Sequence, residues 1–248
     1  MTSNKRTAVV TGGIGGLGSA ICRTLAQGGH QVIAVDLGSQ EQRLQQFRSD
    51  MGDLDIRFAT LDVADFDACA AFVQEIEDRG GGIDVLVNGA GITRDVTLRK
   101  MTREQWQSVL QVNLDGVFNL CRHAVEGMVA RGFGRIVNIS SVNGQTGQFG
   151  QTNYAAAKAG MHGFTMALAR EVARKGVTVN SVSPGYCETA LVMAMPEEIR
   201  AGIVAQVPVG RLGQPEEIAR VVAFLCAEDA GFITGANIPV NGGLFMSF

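Results

Sequence analysis

Tyr154 and Lys158 stand four residues apart, and Ser141 lies thirteen residues before the tyrosine. On a helix, side chains at a spacing of four share a face, so the ammonium can lie beside the phenol. A free phenol has a pKa of about 10, and a cation within about 4–6 Å lowers such a value by roughly 1–3 units, toward acid–base work near neutrality. A Tyr-x-x-x-Lys pair also arises on helices by chance, and its weight here comes from a second motif, Thr11-Gly-Gly-Ile-Gly-Gly-Leu-Gly18. That run follows the apolar segment Lys5 to Thr11 and precedes a helical spacing of apolar residues at Ile21 and Leu25. Strand, glycine turn and helix in this order let a pyrophosphate approach bare amides at the positive end of a helix, where a β-carbon at Gly12, Gly16 or Gly18 would obstruct it. A phosphate-binding turn and an acid–base pair in one chain point to dinucleotide-dependent redox chemistry.

The remaining pattern supplies a frame for both motifs. Strand-like segments fall at 5–11, 31–36, 55–61, 83–88, 133–140, 177–183 and 236–240, alternating with helical stretches at 15–28, 66–79, 102–127, 151–175 and 215–228. Strands separated by helices imply parallel crossovers, and the unbroken apolar runs Val-Ile-Ala-Val, Val-Leu-Val and Ile-Val-Asn-Ile are those of strands covered on both faces. The pattern predicts one α/β unit over 1–248, a doubly wound Rossmann domain of about seven parallel strands flanked by helices on both faces. Residues 186–208, with Met193, Met195 and Pro196 among short helical pieces, break the alternation and read as a substrate lid. Ser141 and the run Asn88-Gly89-Ala90-Gly91 each end a strand at the edge where such a sheet presents its ligand.

At 248 residues and 46% hydrophobic the chain can bury one substantial core, and it contains no linker or low-complexity break. A formal charge of −3 with interspersed signs argues against a nucleic-acid surface, and apolar runs such as Val221 to Ala227 are too short to span a bilayer. The N-terminal Met-Thr-Ser-Asn-Lys-Arg carries no cleavable apolar core. Five cysteines, Cys22, Cys69, Cys121, Cys187 and Cys226, lack any Cys-x-x-Cys pairing, so neither a disulfide framework nor a metal site is expected. These features predict a soluble cytoplasmic protein.

Asp36 closes the second strand 18 residues after Gly18, where an acid meets adenosine ribose hydroxyls. A 2′-phosphate against that carboxylate would feel repulsion on the order of 4 kcal/mol per charge pair at ~4 Å and an effective dielectric of ~20. Ile14 leaves the glycine loop without a basic side chain. NAD(H) is therefore the expected cofactor, with NADP(H) the alternative if Arg43 swings toward a phosphate instead of standing as a solvated helix residue.

Taken in order, Thr11-Gly-x-x-x-Gly-x-Gly18, Asp62-Val63, Asn88-Gly-Ala-Gly91, Asn113, Ser141, Tyr154-x-x-x-Lys158 and Pro184-Gly185 resemble the classical short-chain dehydrogenase/reductase family over essentially the whole chain. The resemblance implies that Ser141 holds a substrate carbonyl, Tyr154 protonates its oxygen, Lys158 lowers the phenol pKa and binds the nicotinamide ribose, and Asn113 supports a proton-relay water. It also implies that Gly12, Gly13, Ile14, Gly16, Leu17 and Gly18 hold the pyrophosphate end. Asp62 and Val63 would contact adenine, Asn88 to Gly91 would line the cofactor, and Pro184, Gly185 and Thr189 would hold the nicotinamide end. Cys187 replaces the aliphatic residue usual in that family. The thirteen-residue spacing to Tyr154 favours Ser141 over Ser140 as the reactive serine.

The segments Ile92-Thr-Arg-Asp-Val-Thr-Leu-Arg-Lys-Met-Thr102 and Ser141-Val-Asn-Gly-Gln-Thr-Gly-Gln-Phe-Gly-Gln-Thr-Asn-Tyr154 resemble acetoacetyl-CoA reductases of the polyhydroxyalkanoate pathway. So do Gly160 to Ala169 and Gly176 to Asn180. This implies acetoacetyl-CoA or another short 3-ketoacyl-CoA as substrate, an (R)-3-hydroxyacyl-CoA product and a homotetramer. Asp95, Lys100, Gln148, Phe149, Gln151 and Tyr186 would form the acyl-CoA site. Read from the residues alone, Arg94, Arg99, Lys100 and Arg103 put four cations within ten residues, suited to coenzyme A phosphates or to an ordinary solvated loop. The helices 102–127 and 151–175 carry apolar residues on more than one face, and Phe245, Met246 and Phe248 are ill suited to a free tail, so subunit contacts are expected at both places. A 3-oxoacyl-[acyl-carrier-protein] reductase would share nearly every motif, whereas a nucleotide-sensing regulator would have no use for the complete Asn-Ser-Tyr-Lys set.

Overall fold

The computed structural model of the chain describes residues 5–38 and 41–246. Its strands are β1 (Thr7–Thr11), β2 (Gln31–Asp36), β3 (Ile56–Thr60), β4 (Val85–Asn88), β5 (Gly134–Ile139), β6 (Val177–Pro184) and β7 (Asn237–Val240). They form one seven-stranded sheet in the order β3-β2-β1-β4-β5-β6-β7, with every pairing parallel. β1, β4, β5 and β6 are buried from end to end, which is why their sequences do not alternate. The order reverses between β1 and β4, and this opens a crevice at the carboxyl ends of the strands.

The helices are α1 (Gly16–Gln27), α2 (Glu41–Met51), α3 (Phe66–Asp78), α4 (Arg103–Leu110), α5 (Gly116–Arg131), α6 (Asn143–Thr146), α7 (Thr152–Val172), α8 (Ala190–Met193), α9 (Glu197–Val204) and α10 (Pro215–Cys226). Ile21 and Leu25 of α1 and Val222 and Leu225 of α10 cover one face of the sheet, joined by Leu44, Phe47 and Met51 of α2. Leu120, Ala124 and Met128 of α5, Met161 and Ala169 of α7, and Val73 and Ile76 of α3 cover the other. Five free cysteines all lie buried, as space-filling residues.

The sequence pattern differs from this structure in three places. It missed α2, because only Leu44, Phe47 and Met51 of that helix's residues are buried and the rest are polar. It read one helix over 102–127, where α4 and α5 are joined by a wide π-helical turn, Gln111–Asp115, and α5 runs on to Arg131. It gave no helix at 143–146, where α6 forms, whereas 186–208 does hold the short helical pieces expected there, α8 and α9. Elsewhere the segment ends differ by a residue or two, with Ala173–Lys175 continuing α7 as a 3₁₀ turn. No helix among the described residues is long and apolar enough to cross a membrane, and no metal-binding cluster of His, Cys, Asp or Glu occurs among them.

Gly18 lies in the first turn of α1, where a Cβ would overlap the Gly12 carbonyl oxygen and sit 2.9 Å from the Gly13 Cα. These neighbours are backbone and cannot rotate away. Gly18→Ala gains up to about 1 kcal/mol in helix propensity, yet overpacking of this kind costs about 1–3 kcal/mol. The expected outcome is a lower denaturant midpoint together with weakened nucleotide binding. An unchanged or raised midpoint would show that the turn has room.

Candidate active site

The crevice is pinned at its centre by a hydroxyl. Thr11, the last residue of β1, accepts the N–H groups of Gly89 at 3.0 Å and Ala90 at 3.1 Å through Oγ1, tying the turn after β1 to the turn after β4. Gly12 follows at φ +65°, and a Cβ there would come within 2.8 Å of the Gly89 carbonyl oxygen. α1 then begins with no side-chain cap and no acidic residue in its first turn. Its leading amides and dipole are thus available to an anion, and the glycines leave the approach clear, so this turn fits a pyrophosphate. Ile14 is buried in the core below the turn, and Gly13 and Leu17 lie beside it. Thr189 rests against Gly16, its Cγ2 2.9 Å from where a Cβ would be.

Asp36 sits half-buried at the end of β2, with Oδ1 accepting the Leu37 N–H at 2.9 Å. Leu61, at the end of β3, donates its N–H to the Asp36 carbonyl oxygen at 3.1 Å, which brings Asp62 and Val63 to the same edge. Asp62 accepts the Ala64 N–H at 2.9 Å, and the Val63 carbonyl accepts from Asn119 at 2.8 Å. Arg43 is not merely solvated. Its guanidinium donates to the Ile14 carbonyl at 3.3 Å, so a cation does stand at the glycine loop, brought there by α2.

Asn88 ends β4 and is buried. Its Nδ2 donates to Asn138 Oδ1 at 2.8 Å, and Asn138 in turn donates to Thr165 at 2.9 Å, so a buried polar rung joins β4, β5 and α7. Asn88 therefore anchors the start of the turn Gly89-Ala90-Gly91 through the sheet, and its Oδ1 is buried with no partner among the described residues. A Cβ on Gly91 would lie 2.6 Å from Asn113 Oδ1 and 3.7 Å from Lys158 Nζ, so three motifs far apart in sequence converge here. Asn113 lies in the wide turn between α4 and α5 and donates to the Ile92 carbonyl at 2.9 Å and the Val109 carbonyl at 2.8 Å. Its Oδ1 is buried and finds no partner among the described residues, an acceptor suited to a water or ligand donor.

Lys158 is only 3% exposed, and its ammonium donates to the Ile139 carbonyl at 2.7 Å. It lies 5.6 Å from the centroid of the Tyr154 ring. Burial pushes its pKa down to about 8, so at neutral pH the ammonium still carries most of its charge. Tyr154 behaves differently from the simple pairing expectation. Burial raises its pKa, with the Asp95 carboxylate and Tyr186 adding to the rise, while the hydrogen-bonding hydroxyl of Ser141 opposes them. The lowering group in this structure is thus Ser141, because the ammonium faces the ring and the Ile139 carbonyl. The two serines are also distinguished: Ser140 donates to the Lys158 carbonyl at 2.9 Å, whereas Ser141 Oγ faces Tyr154 and accepts the Asn143 N–H at 3.1 Å.

Two loops form the mouth. The Val96 N–H donates to the Gly150 carbonyl at 2.8 Å, and Asn153, fully buried, donates to the carbonyls of Arg94 at 3.2 Å and Gln105 at 3.1 Å. Asn153 and Asn143 went unread in the sequence; each is an amide flanking a motif residue, and only the neighbouring loop reveals its use. Arg94, Arg99, Lys100 and Arg103 are exposed on this rim, and so are Gln148 and Phe149, the latter 87% exposed. Asp95 and Gln151 bond to each other at 2.7 Å. Tyr186 stands half-buried across from Tyr154, after Pro184 and Gly185 at the end of β6. Gly185 packs on Asn241, whose Cα lies 2.8 Å from the place a Cβ would take.

A glycine turn fitted to a pyrophosphate, beside a convergent Asn-Ser-Tyr-Lys set, places the chain in the short-chain dehydrogenase/reductase family, enzymes that use a nicotinamide cofactor; the family model described as enoyl-(acyl carrier protein) reductase matches residues 12–245. Within that family the chain is 54% identical to an acetoacetyl-CoA reductase of Allochromatium vinosum, over 97% of this chain and 99% of the relative. An acetoacetyl-CoA reductase of Cupriavidus necator is 52% identical over 98% of this chain and 99% of its own. A 3-oxoacyl-[acyl-carrier-protein] reductase of Vibrio cholerae is 45% identical over 99% of this chain and 100% of its own.

Tyr154→Phe keeps the half-buried ring and removes the only proton it could transfer. The expected outcome is unchanged folding and nucleotide binding with turnover reduced by ~10²–10⁴-fold, read by steady-state kinetics beside nucleotide titration. Near-normal turnover would remove Tyr154 from the chemistry.

Proposed function

We propose that this protein reduces acetoacetyl-CoA, or another short 3-ketoacyl-CoA, to the (R)-3-hydroxyacyl-CoA with NADH as the preferred cofactor. The observation that carries the reading is the stitched mouth above Ser141 and Tyr154. It presents an exposed aromatic, Phe149, and a rim of four cations at Arg94, Arg99, Lys100 and Arg103 to a ligand that ends in phosphates. The extensive identity to acetoacetyl-CoA reductases supports the same substrate.

In this reading the bound nicotinamide supplies hydride to the keto carbon. Ser141 donates a hydrogen bond to the keto oxygen and holds it at the Tyr154 hydroxyl. Tyr154, kept protonated by burial, delivers its proton to that oxygen as charge develops there. Lys158 holds the nicotinamide ribose with the donor capacity left beyond Ile139, and its charge favours the phenolate once the proton has gone. Asn113 offers its unpartnered Oδ1 to a water that restores the proton. Gly12, Gly13, Gly16 and Gly18 receive the pyrophosphate, Asp62 and Val63 border the adenine, and Pro184, Gly185 and Thr189 border the nicotinamide. The segment 186–208, rooted where Thr189 meets Gly16, serves as the lid of a single domain. The working form is a cytoplasmic homotetramer, supported by the apolar side chains Phe118 and Met166 exposed on α5 and α7 and by Met246, 73% exposed near the chain end. Phe248, expected to share that contact, lies outside the described residues.

A second reading of the cofactor has its own observation. Arg43 reaches the glycine loop, and a guanidinium there would suit a 2′-phosphate. Asp36 opposes it, because a carboxylate accepts from ribose hydroxyls and repels phosphate. Steady-state reduction of acetoacetyl-CoA and the matching carrier-protein thioester, each with NADH and NADPH, tests substrate and cofactor together. Higher kcat/KM with the CoA thioester and NADH is expected. Asp36→Ala then lowers efficiency with NADH and raises it with NADPH, each by about tenfold per ~1.4 kcal/mol of interaction changed. A wild-type preference for NADPH would overturn the role of Asp36 and give the phosphate to Arg43.

A further inference from the structure

A cavity of about 100 Å³ lies under the root of the lid, lined by Gly185 and Tyr186 and so adjoining the Tyr154 site. Val240 of β7, Ile218 of α10, and Val207 and Val209 where the chain leaves the lid give it apolar walls. Its polar neighbours hold one another. Arg211 makes a two-point ion pair with Glu217 at 2.7 and 2.8 Å, and Glu217 also accepts the Gln214 N–H at 2.8 Å. Asn241 donates to the Phe245 carbonyl at 2.9 Å and accepts the Gly243 N–H at 3.0 Å. A water in such a place needs about two to four polar partners, and with these side chains engaged the space suits an apolar group better. Main chain holds the walls in place. Gly242 and Gly243 turn at φ +64° and +86°, which glycine adopts freely, and fold the end of β7 against the lid. The Val209 N–H donates to the Gly242 carbonyl at 3.1 Å, and Val207 Cγ1, on a residue only 6% exposed, stands 2.6 Å from where a Gly242 Cβ would be.

The sheet order gives a bound thioester a direction. The cationic rim follows β4, Ser141 follows β5, Gly185 and Tyr186 follow β6, and the cavity reaches the end of β7; these four strands are neighbours in that order. A 3-ketoacyl thioester with its CoA phosphates at the rim and its keto oxygen at Ser141 and Tyr154 therefore carries its alkyl end onward, toward β6 and β7. We propose that this cavity receives the alkyl end of the acyl chain, and that Val207 sets the longest chain the enzyme accepts. The inference rests on the ketoreductase reading of the site and narrows its substrate class. A cavity of about 150 Å³ admits benzene, so one of about 100 Å³ takes roughly two or three methylenes. The 3-ketohexanoyl group then fits, and the 3-ketodecanoyl group does not.

Saturated thioesters test the cavity without turnover. Hexanoyl-CoA carries two methylenes more than butyryl-CoA, and the wild-type protein should bind it roughly four- to fifteenfold more tightly by calorimetry. Val207→Phe fills the cavity and should abolish that difference. In the same variant kcat/KM for 3-ketohexanoyl-CoA should fall roughly tenfold, with kcat/KM for acetoacetyl-CoA within about twofold of wild type. Val207→Ala acts in the opposite sense and carries the test if the larger side chain prevents folding: kcat/KM for 3-ketooctanoyl-CoA should rise about three- to tenfold. Equal affinity of the wild type for the two saturated thioesters, a Val207→Phe loss shared equally by short and long chains, or no gain in Val207→Ala would overturn the proposal. The same chain lengths are also compared as carrier-protein thioesters, which keeps the two readings apart. Reduction of those thioesters alone, with the Val207 dependence intact, would sink the CoA substrate and leave the cavity standing; reduction of both kinds without that dependence would sink only the cavity.

Discussion

A cation buried beneath the carboxyl edge of the sheet governs this site. Lys158 is held in low dielectric, where an unpaired ammonium is strongly disfavoured, and a single main-chain carbonyl at the end of β5 answers it among the described residues. Its environment must therefore supply acceptors and oriented dipoles, and much of the surrounding architecture does so. The Gly91 backbone, where a Cβ would meet both the Asn113 oxygen and the ammonium, leaves room for the two, and the Tyr154 ring lies beside the cation. The same low dielectric that depresses the ammonium raises the phenol, so two proton affinities that are nearly equal in water are driven apart, each group being pushed toward its neutral form.

The two faces of the sheet divide the labour. α1 and α10 form the layer that carries the uncapped helix start and the glycine turn, while α5 and α7 carry Asn113, Tyr154 and Lys158 at or beside their N-terminal ends. The layers meet only where the strands finish, and the polar rungs Thr11 to Gly89 and Ala90, and Asn88 to Asn138 to Thr165, hold those finishing points in register. Short hydroxyl and amide side chains suit this task, since they satisfy buried backbone donors with little bulk.

What could be read from the sequence followed from locality. The glycine turn, the Tyr-x-x-x-Lys face and the buried strands each depend on residues a few positions apart, and the structure keeps them where their spacing put them. α2 was hidden because its apolar stripe is only Leu44, Phe47 and Met51, too thin to rise above a polar background. The bond of Asn88 to Asn138, the reach of Arg43 to Ile14 and the mutual bonding of Asp95 and Gln151 join residues 29 to 56 positions apart, and no local pattern encodes which partner each side chain will find. The direction of the Tyr154 shift was misjudged for a similar reason: helical spacing gives nearness to a cation, but desolvation depends on everything packed around the ring.

The wide turn at Gln111–Asp115 sets a constraint on chain length. Val109, Asn113, Val117 and Cys121 are all buried at successive steps of four, a stripe that a regular helix would let drift around its axis and that the widened turn brings back toward the sheet. Removing one residue from the segment would let the helix close into regular geometry, yet every side chain on one side of the deletion would swing by about 100° relative to the other. Asn113 and the α5 core stripe could not then both face inward. Over evolutionary time this helix should therefore accept changes of residue type along its outer surface far more readily than the loss or gain of a single position.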